Sequence, residues 1–127
     1  MCSSDLIPIH RSCRRLHFLH GADWFVPDGT ALGYYVIRYV NGEEEVAPIV
    51  AGRDVYDWWI DPVRARDTNT LALAWTGANP ASRRQGASIH VYKMTWPNPR
   101  WDLDVAALDF ISAGTPSGPF LLAITVE

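Results

Sequence analysis

Asp54, Asp57 and Asp61 bracket the adjacent Trp58 and Trp59 in the stretch DVYDWWIDP. Indole faces cover the apolar side of a sugar ring and carboxylates accept hydrogen bonds from its hydroxyls, so this grouping suits a carbohydrate site. The same three acids offer oxygen ligands to a structural calcium ion, although they lack the Asp-x-Asp-x-Asp-Gly spacing of a compact calcium loop. The competing interpretation is that both indoles anchor a loop against a sheet edge. On a strand the two would face opposite ways, which leaves at most one of them in a core.

Further candidates lie outside this stretch. Trp24, beside Asp23, and Trp101, between Arg100 and Asp102, are the tryptophans best placed for a surface platform, while Trp75 and Trp96 end apolar segments and read as core or rim. The basic stretch NPASRRQG reads as a solvated turn, with Arg83 or Arg84 as the secondary reading of a contact for an acidic ligand. His17 and His20 form a His-x-x-His pair, but on a strand their side chains diverge and the chelate is lost. Cys13 has basic neighbours that favour a thiolate, yet between Leu16, Phe18 and other strand residues it reads as a small hydrophobe. The sequence contains no Gly-x-Ser-x-Gly elbow, glycine-rich phosphate loop or His-Glu-x-x-His motif, and no carboxylate pair stands out for glycoside hydrolysis. The expectation is a non-catalytic protein.

The elements that must hold these residues are short β-prone segments separated by turn chemistry. The clearest is GYYVIRYVNGEEEVAPIV, where Asn41-Gly42 predicts a type I′ hairpin that sets Arg38 opposite Glu45 and Ile37 opposite Val46. Pro48 cannot donate to a ladder, which predicts an edge for the second strand. Strands are also expected over 14–20, 70–76, 87–96 and 102–112. A last one over 120–126 is apolar on both faces, which predicts neighbours on both sides. Roughly seven such strands at this spacing predict an antiparallel β-sandwich of the jelly-roll kind.

Composition supports this. The chain has 127 residues, 48% hydrophobic and 20% charged, enough for one domain with a real core. A net charge of −3 without a basic run argues against a nucleic-acid partner. No apolar stretch approaches the roughly 20 residues of a spanning helix, so no membrane insertion is expected.

From Ile7 onward the segments CRRLHFLHGADW, DGTALGYYVIRYVNG, PIVAGRDVYDWW, LAWTGANPASRRQGASIHVYKMTWPNP and PFLLAITVE together resemble the carboxy-terminal part of a galactose-binding-like β-sandwich module. Such modules occur in large bacterial proteins, some with FecR-type or sigma-factor-like regulatory parts. The resemblance implies a non-catalytic accessory domain and an additional amino-terminal region preceding the CRRLHFLHG equivalent. Residues 1–6, MCSSDL, resemble the translation of a sequencing-adapter tail, so they are set aside as a non-native extension and residues 7–127 are read as an amino-terminally truncated domain. The expected function is carbohydrate binding through Asp54, Asp57, Trp58, Trp59, Trp24, Trp101 and Arg84, with a structural calcium at Asp54, Asp57 and Asp61 as a lesser expectation. The alternative is a structural or protein-docking module of a larger envelope or regulatory protein, and truncation adds edge-strand self-association as a further expectation.

Overall fold

A computed structural model describes residues 4–23, 26–60, 72–115 and 118–127, with side chains from Leu6 onward. Among the described residues, nine strands and one short helix follow in order: β1 Ser4–Arg11, β2 Arg15–Ala22, β3 Ala31–Tyr39, β4 Glu44–Val50, β5 Trp59–Ile60, β6 Leu73–Gly77, α1 Pro80–Arg84, β7 Ser88–Pro97, β8 Val105–Ser112 and β9 Pro119–Val126. They form an all-β antiparallel sandwich. One sheet has the order β1-β8-β3-β4, and the other runs β5-β7-β2-β9 with β6 also on β7.

Alternation along the strands builds the core. Leu16, Phe18 and His20 of β2 and Tyr92 and Met94 of β7 are buried against Tyr35, Ile37 and Tyr39 of β3, Ile49 of β4 and Leu108 of β8. Each large apolar side chain so buried contributes about 1.5–3 kcal/mol. Phe18 and Tyr35 stack across the sheets with ring centroids 3.8 Å apart, and His20 lies parallel to Tyr35 at 5.9 Å. The Tyr35 hydroxyl is 2.7 Å from His20 Nδ1, and His20 Nε2 is 2.8 Å from the Asp54 carbonyl oxygen. A carbonyl only accepts, so Nε2 carries the proton and Nδ1 accepts from Tyr35. Burial holds the imidazole below its usual pKa, partly offset by the bond to Asp54. The same burial raises the Tyr35 phenol, with the Asp54 charge adding to it.

Three expectations are corrected here. The β3–β4 hairpin is not type I′. Gly42 N donates to Tyr39 O at 3.0 Å and Tyr39 N to Glu43 O at 2.9 Å, which makes a type I turn centred on Val40-Asn41 with Gly42, at φ 90°, as the bulge residue. Asn41 Oδ1 accepts the Glu43 N–H, a bond that favours this arrangement. Register shifts by one: Arg38 faces Glu44, with which it ion-pairs at 2.8 Å, and Ile37 faces Glu45. Second, β9 ends its sheet, with β2 as its one neighbour among the described residues, and Leu122 is 58% exposed. Its apolar character therefore does not mark a covered strand. Third, NPASRRQG is not merely a solvated turn, because α1 is closed by a capping box in which Asn79 Oδ1 accepts Ser82 N and Ser82 Oγ accepts Asn79 N. Ser4–Leu6 form the first positions of β1, opposite Ile111, Phe110 and Asp109. The expected strands over 102–112 and at the Pro48 edge are present as β8 and β4.

Candidate functional site

The Asp-Trp-Trp stretch follows β4 through a tight turn. Arg53 N and Asp54 N both donate to Val50 O, at 3.2 and 2.9 Å, and Gly52, at φ 83°, permits the reversal. The Asp54 carboxylate closes this turn by accepting the Val50 N–H at 2.9 Å and pairing with the Arg53 guanidinium at 2.8 Å. Asp57 is buried and accepts the Trp59 N–H at 3.0 Å. Each acid thus accepts a local backbone N–H, as turn-forming aspartates do. Asp61 lies outside the described residues, as does Trp24. Among the described residues no three acidic, histidine or cysteine side chains converge to hold a metal, and the calcium set, which includes Asp61, lies partly outside those residues.

Trp58 and Trp59 are half-buried and touch edge to face, with ring centroids 6.3 Å apart. Neither sits in the core, because β5 has only two residues and Trp58 precedes it, held by Ala22 O at 2.7 Å and by the His90 N–H at 2.7 Å. Trp58 packs edge-on to Phe120 and joins Leu19, Trp75, Val91 and Leu122 around an apolar groove of about 560 Å³ on the outer face of the second sheet. Trp75, expected as core or rim, is 52% exposed there. Neither Asp54 nor Asp57 lines this groove. The structure therefore separates the aromatic and acidic halves of the expected sugar site.

A different cleft brings them together. At one end of the sandwich the β1–β2 turn supplies Ser12 and Arg14, the β7–β8 loop supplies Trp101, Asp102 and Asp104, and Glu127 completes a cleft of about 560 Å³. Trp101 is 60% exposed, with the Arg14 guanidinium carbon 5.8 Å from its ring centroid. Asp102 and Asp104 are exposed and make no side-chain hydrogen bond or ion pair among the described residues. Their acceptors remain available to a ligand.

The loop that carries them is fixed from beneath by Asn98, which is buried. Its Oδ1 accepts from the Tyr39 hydroxyl at 2.6 Å and from Arg100 N at 3.0 Å, its Nδ2 donates to Cys13 O at 2.8 Å, and its N–H donates to Arg14 O at 2.9 Å. One side chain therefore ties β3, the β1–β2 turn and the β7–β8 loop. Arg100 adds a clamp, pairing with Glu45 at 3.1 Å and with Glu43, its guanidinium lying 5.8 Å from the Tyr39 ring centroid. Burial pushes the Tyr39 phenol up to about 12, the Glu45 charge adding to it. Cys13 forms the floor of the cleft; burial raises its thiol pKa despite the opposing Asn98 bond and Arg11 charge, so it packs as a small hydrophobe.

Of the remaining sequence candidates, Arg84 is exposed at the end of α1 and does not line the Trp101 cleft. His17 and His20 diverge as expected, the former to Glu127 at 2.6 Å and Thr95 at 3.0 Å. Sequence reasoning reached Trp101 but missed Arg14, Asp104 and Asn98, because Arg14 and Trp101 meet only through the fold. Asn98-Pro99 closing a strand was a visible turn signal, but one without a partner in the sequence. In comparisons with known proteins, no family model, curated protein or solved structure matches this chain.

Proposed function

We propose that this domain is a non-catalytic carbohydrate-binding module and that its platform is Trp101. The observation that carries the reading is the exposed indole set beside two carboxylates with free acceptors, on a loop made rigid by buried Asn98. A sugar ring stacks its C–H face on the indole, Asp102 and Asp104 accept from its hydroxyls, and Arg14 donates. Asp102 and Asp104 outnumber the Arg14 guanidinium in the cleft, Glu127 being paired with Arg15, and this favours neutral over acidic sugars. The resemblance of the sequence to galactose-binding-like modules supports the same reading. Titration with a panel of neutral and acidic oligosaccharides, followed by amide chemical shifts, tests it. Saturable binding that weakens by at least about tenfold in Trp101→Ala, roughly 1.4 kcal/mol, and that persists in Trp58→Ala, is the expected outcome. Binding lost in Trp58→Ala but kept in Trp101→Ala, or no binding across the panel, would overturn the proposal.

One observation favours the alternative of a protein-docking module. The groove beside Trp58 and Trp75 is almost wholly apolar, which suits a buried side chain of a partner protein better than a hydroxylated ring.

A further inference from the structure

The flank of β9 that faces away from β2 is open among the described residues. Which backbone groups point into it follows from the ladder. Arg15 and Glu127 exchange both main-chain bonds, at 3.2 and 3.0 Å, and in an antiparallel pair such bonded pairs alternate with unbonded ones. Thr125 and Ala123, opposite His17 and Leu19, therefore bond toward β2, and Val126 and Ile124 direct their N–H and C=O groups outward. Then the register slips. Leu19 faces Ala123 but His20 faces Leu121, so Leu122 is an extra residue, a β-bulge. Beyond it Asp23 N donates to Gly118 O at 3.0 Å, which turns Phe120 inward and leaves Leu121 and the Pro119 carbonyl pointing out. The bulge has moved the outward positions from even to odd numbers.

We propose that β9 pairs antiparallel with β9 of a second copy, about a twofold axis lying between Leu122 and Ala123. In that register Leu121 stands opposite Ile124 of the second copy and Pro119 opposite its Val126. Every outward group then meets another outward group, for about six inter-chain main-chain hydrogen bonds, Pro119 having no N–H to give. From Leu121 to Ile124 the strand advances three residues but only two ladder positions, those of His20 and Phe18, and the same holds in the second copy, so the two bulges face each other and the ladder stays in step. Without the bulge, this axis would set outward groups against inward ones. The faces agree as well: Leu121, Ile124 and Val126 all pack toward the core, and Phe120 lies on the outer groove.

Chemistry favours a second copy as the occupant. No charged residue occurs from Pro119 to Val126, so self-pairing sets no like charges opposite each other. The edge also lacks the lysines that commonly guard such strands. At the axis, exposed Leu122 lies where the outer groove meets a second apolar cleft of about 420 Å³ between β1 and β9, lined by Ile7, Ile9 and Ile124. A one-strand contact is small beside the ~1,200–2,000 Å² of standard interfaces, so the dimer dissociates on dilution.

Sedimentation equilibrium of the whole chain from about 1 µM to about 1 mM tests this. A monomer–dimer equilibrium is expected, with its dissociation constant raised at least about tenfold by Leu122→Lys or Ala123→Lys, both on exposed positions and both checked for folding by circular dichroism. In a Cys2→Ser background, Leu122→Cys should cross-link to its counterpart under mild oxidation, whereas exposed Thr125→Cys, two ladder positions from the axis, should not. A monomer throughout, a dimer indifferent to both lysines, or equal cross-linking at 122 and 125 would overturn the proposal.

Discussion

Asn98→Ala should be among the most damaging single substitutions at the Trp101 end of the sandwich, although it removes few atoms. Truncation leaves the Tyr39 hydroxyl, on a residue 3% exposed, without its acceptor, and strands Cys13 O and Arg100 N as well. An orphaned buried polar group costs about 1–3 kcal/mol. Arg100 N is nearer solvent and can recruit water, so two full penalties are counted, for a total of roughly 2–6 kcal/mol. Tyr39→Phe removes the same strongest bond from the other side but leaves Asn98 Oδ1 bonded to Arg100 N, and should cost only about 1 kcal/mol. Urea unfolding followed by tryptophan fluorescence measures both, at constant slope. In Asn98→Ala the amide cross-peaks of the β1–β2 turn and the β7–β8 loop should broaden together. If Asn98→Ala costs no more than Tyr39→Phe, or if only one of the two loops responds, the side chain does not hold the cleft in the way argued.

Three further outcomes follow from the core and the β3–β4 turn. His20 should be mainly the neutral Nε2–H tautomer at pH ~6.5, where an unperturbed imidazole is half protonated, readable from its ring nitrogen shifts, because burial holds its pKa below that value. The unfolded chain then binds a proton that the folded chain refuses, so this residue's stability contribution is complete above about pH 6.5 and declines as pH falls toward the folded pKa; an imidazole that protonates at or above 6.5 would refute it. Gly33→Ala should destabilise by about 2 kcal/mol or more in thermal unfolding, since the added Cβ would stand 2.4 Å from Ile111 O, main chain of the paired strand β8. Gly42→Ala, at φ 90° with nothing within 4 Å, should cost only about 1 kcal/mol of backbone strain.

Strand character was legible because it is local: alternation and β-branched content marked β2, β3, β4, β7 and β8 within a few residues of their bounds. Register was not, since Asn41-Gly42 suits two hairpin geometries and a side-chain bond from Asn41 to Glu43 favours the longer one. The apolar run of β9 could not tell a covered strand from an exposed edge, a difference that lies in topology. The acids of DVYDWWIDP carried the right chemistry for a ligand, but whether a carboxylate serves a ligand or its own backbone depends on where the next N–H falls. For Asp54 it falls at Val50, and for Asp57 at Trp59. Arg14 and Trp101 lie far apart in sequence and are joined only through contacts such as Asn98 to Cys13.

The pairing of β1 with β8 and of β2 with β9 bears on how the chain is made. Leu16 finds its ladder partner in Val126, and Ile7 finds Leu108. During vectorial synthesis β2 therefore has no β9 to pair with until β9 has itself left the ribosome, and the β3–β4 hairpin is a local unit that can form before then. Such distant closures are slow relative to local ones, and until they occur Phe18, Leu16 and the strand edges of β2 are exposed to other chains. The window for misassembly is thus set by the time between synthesis of β2 and closure of its pairing with β9, rather than by the stability of any single element.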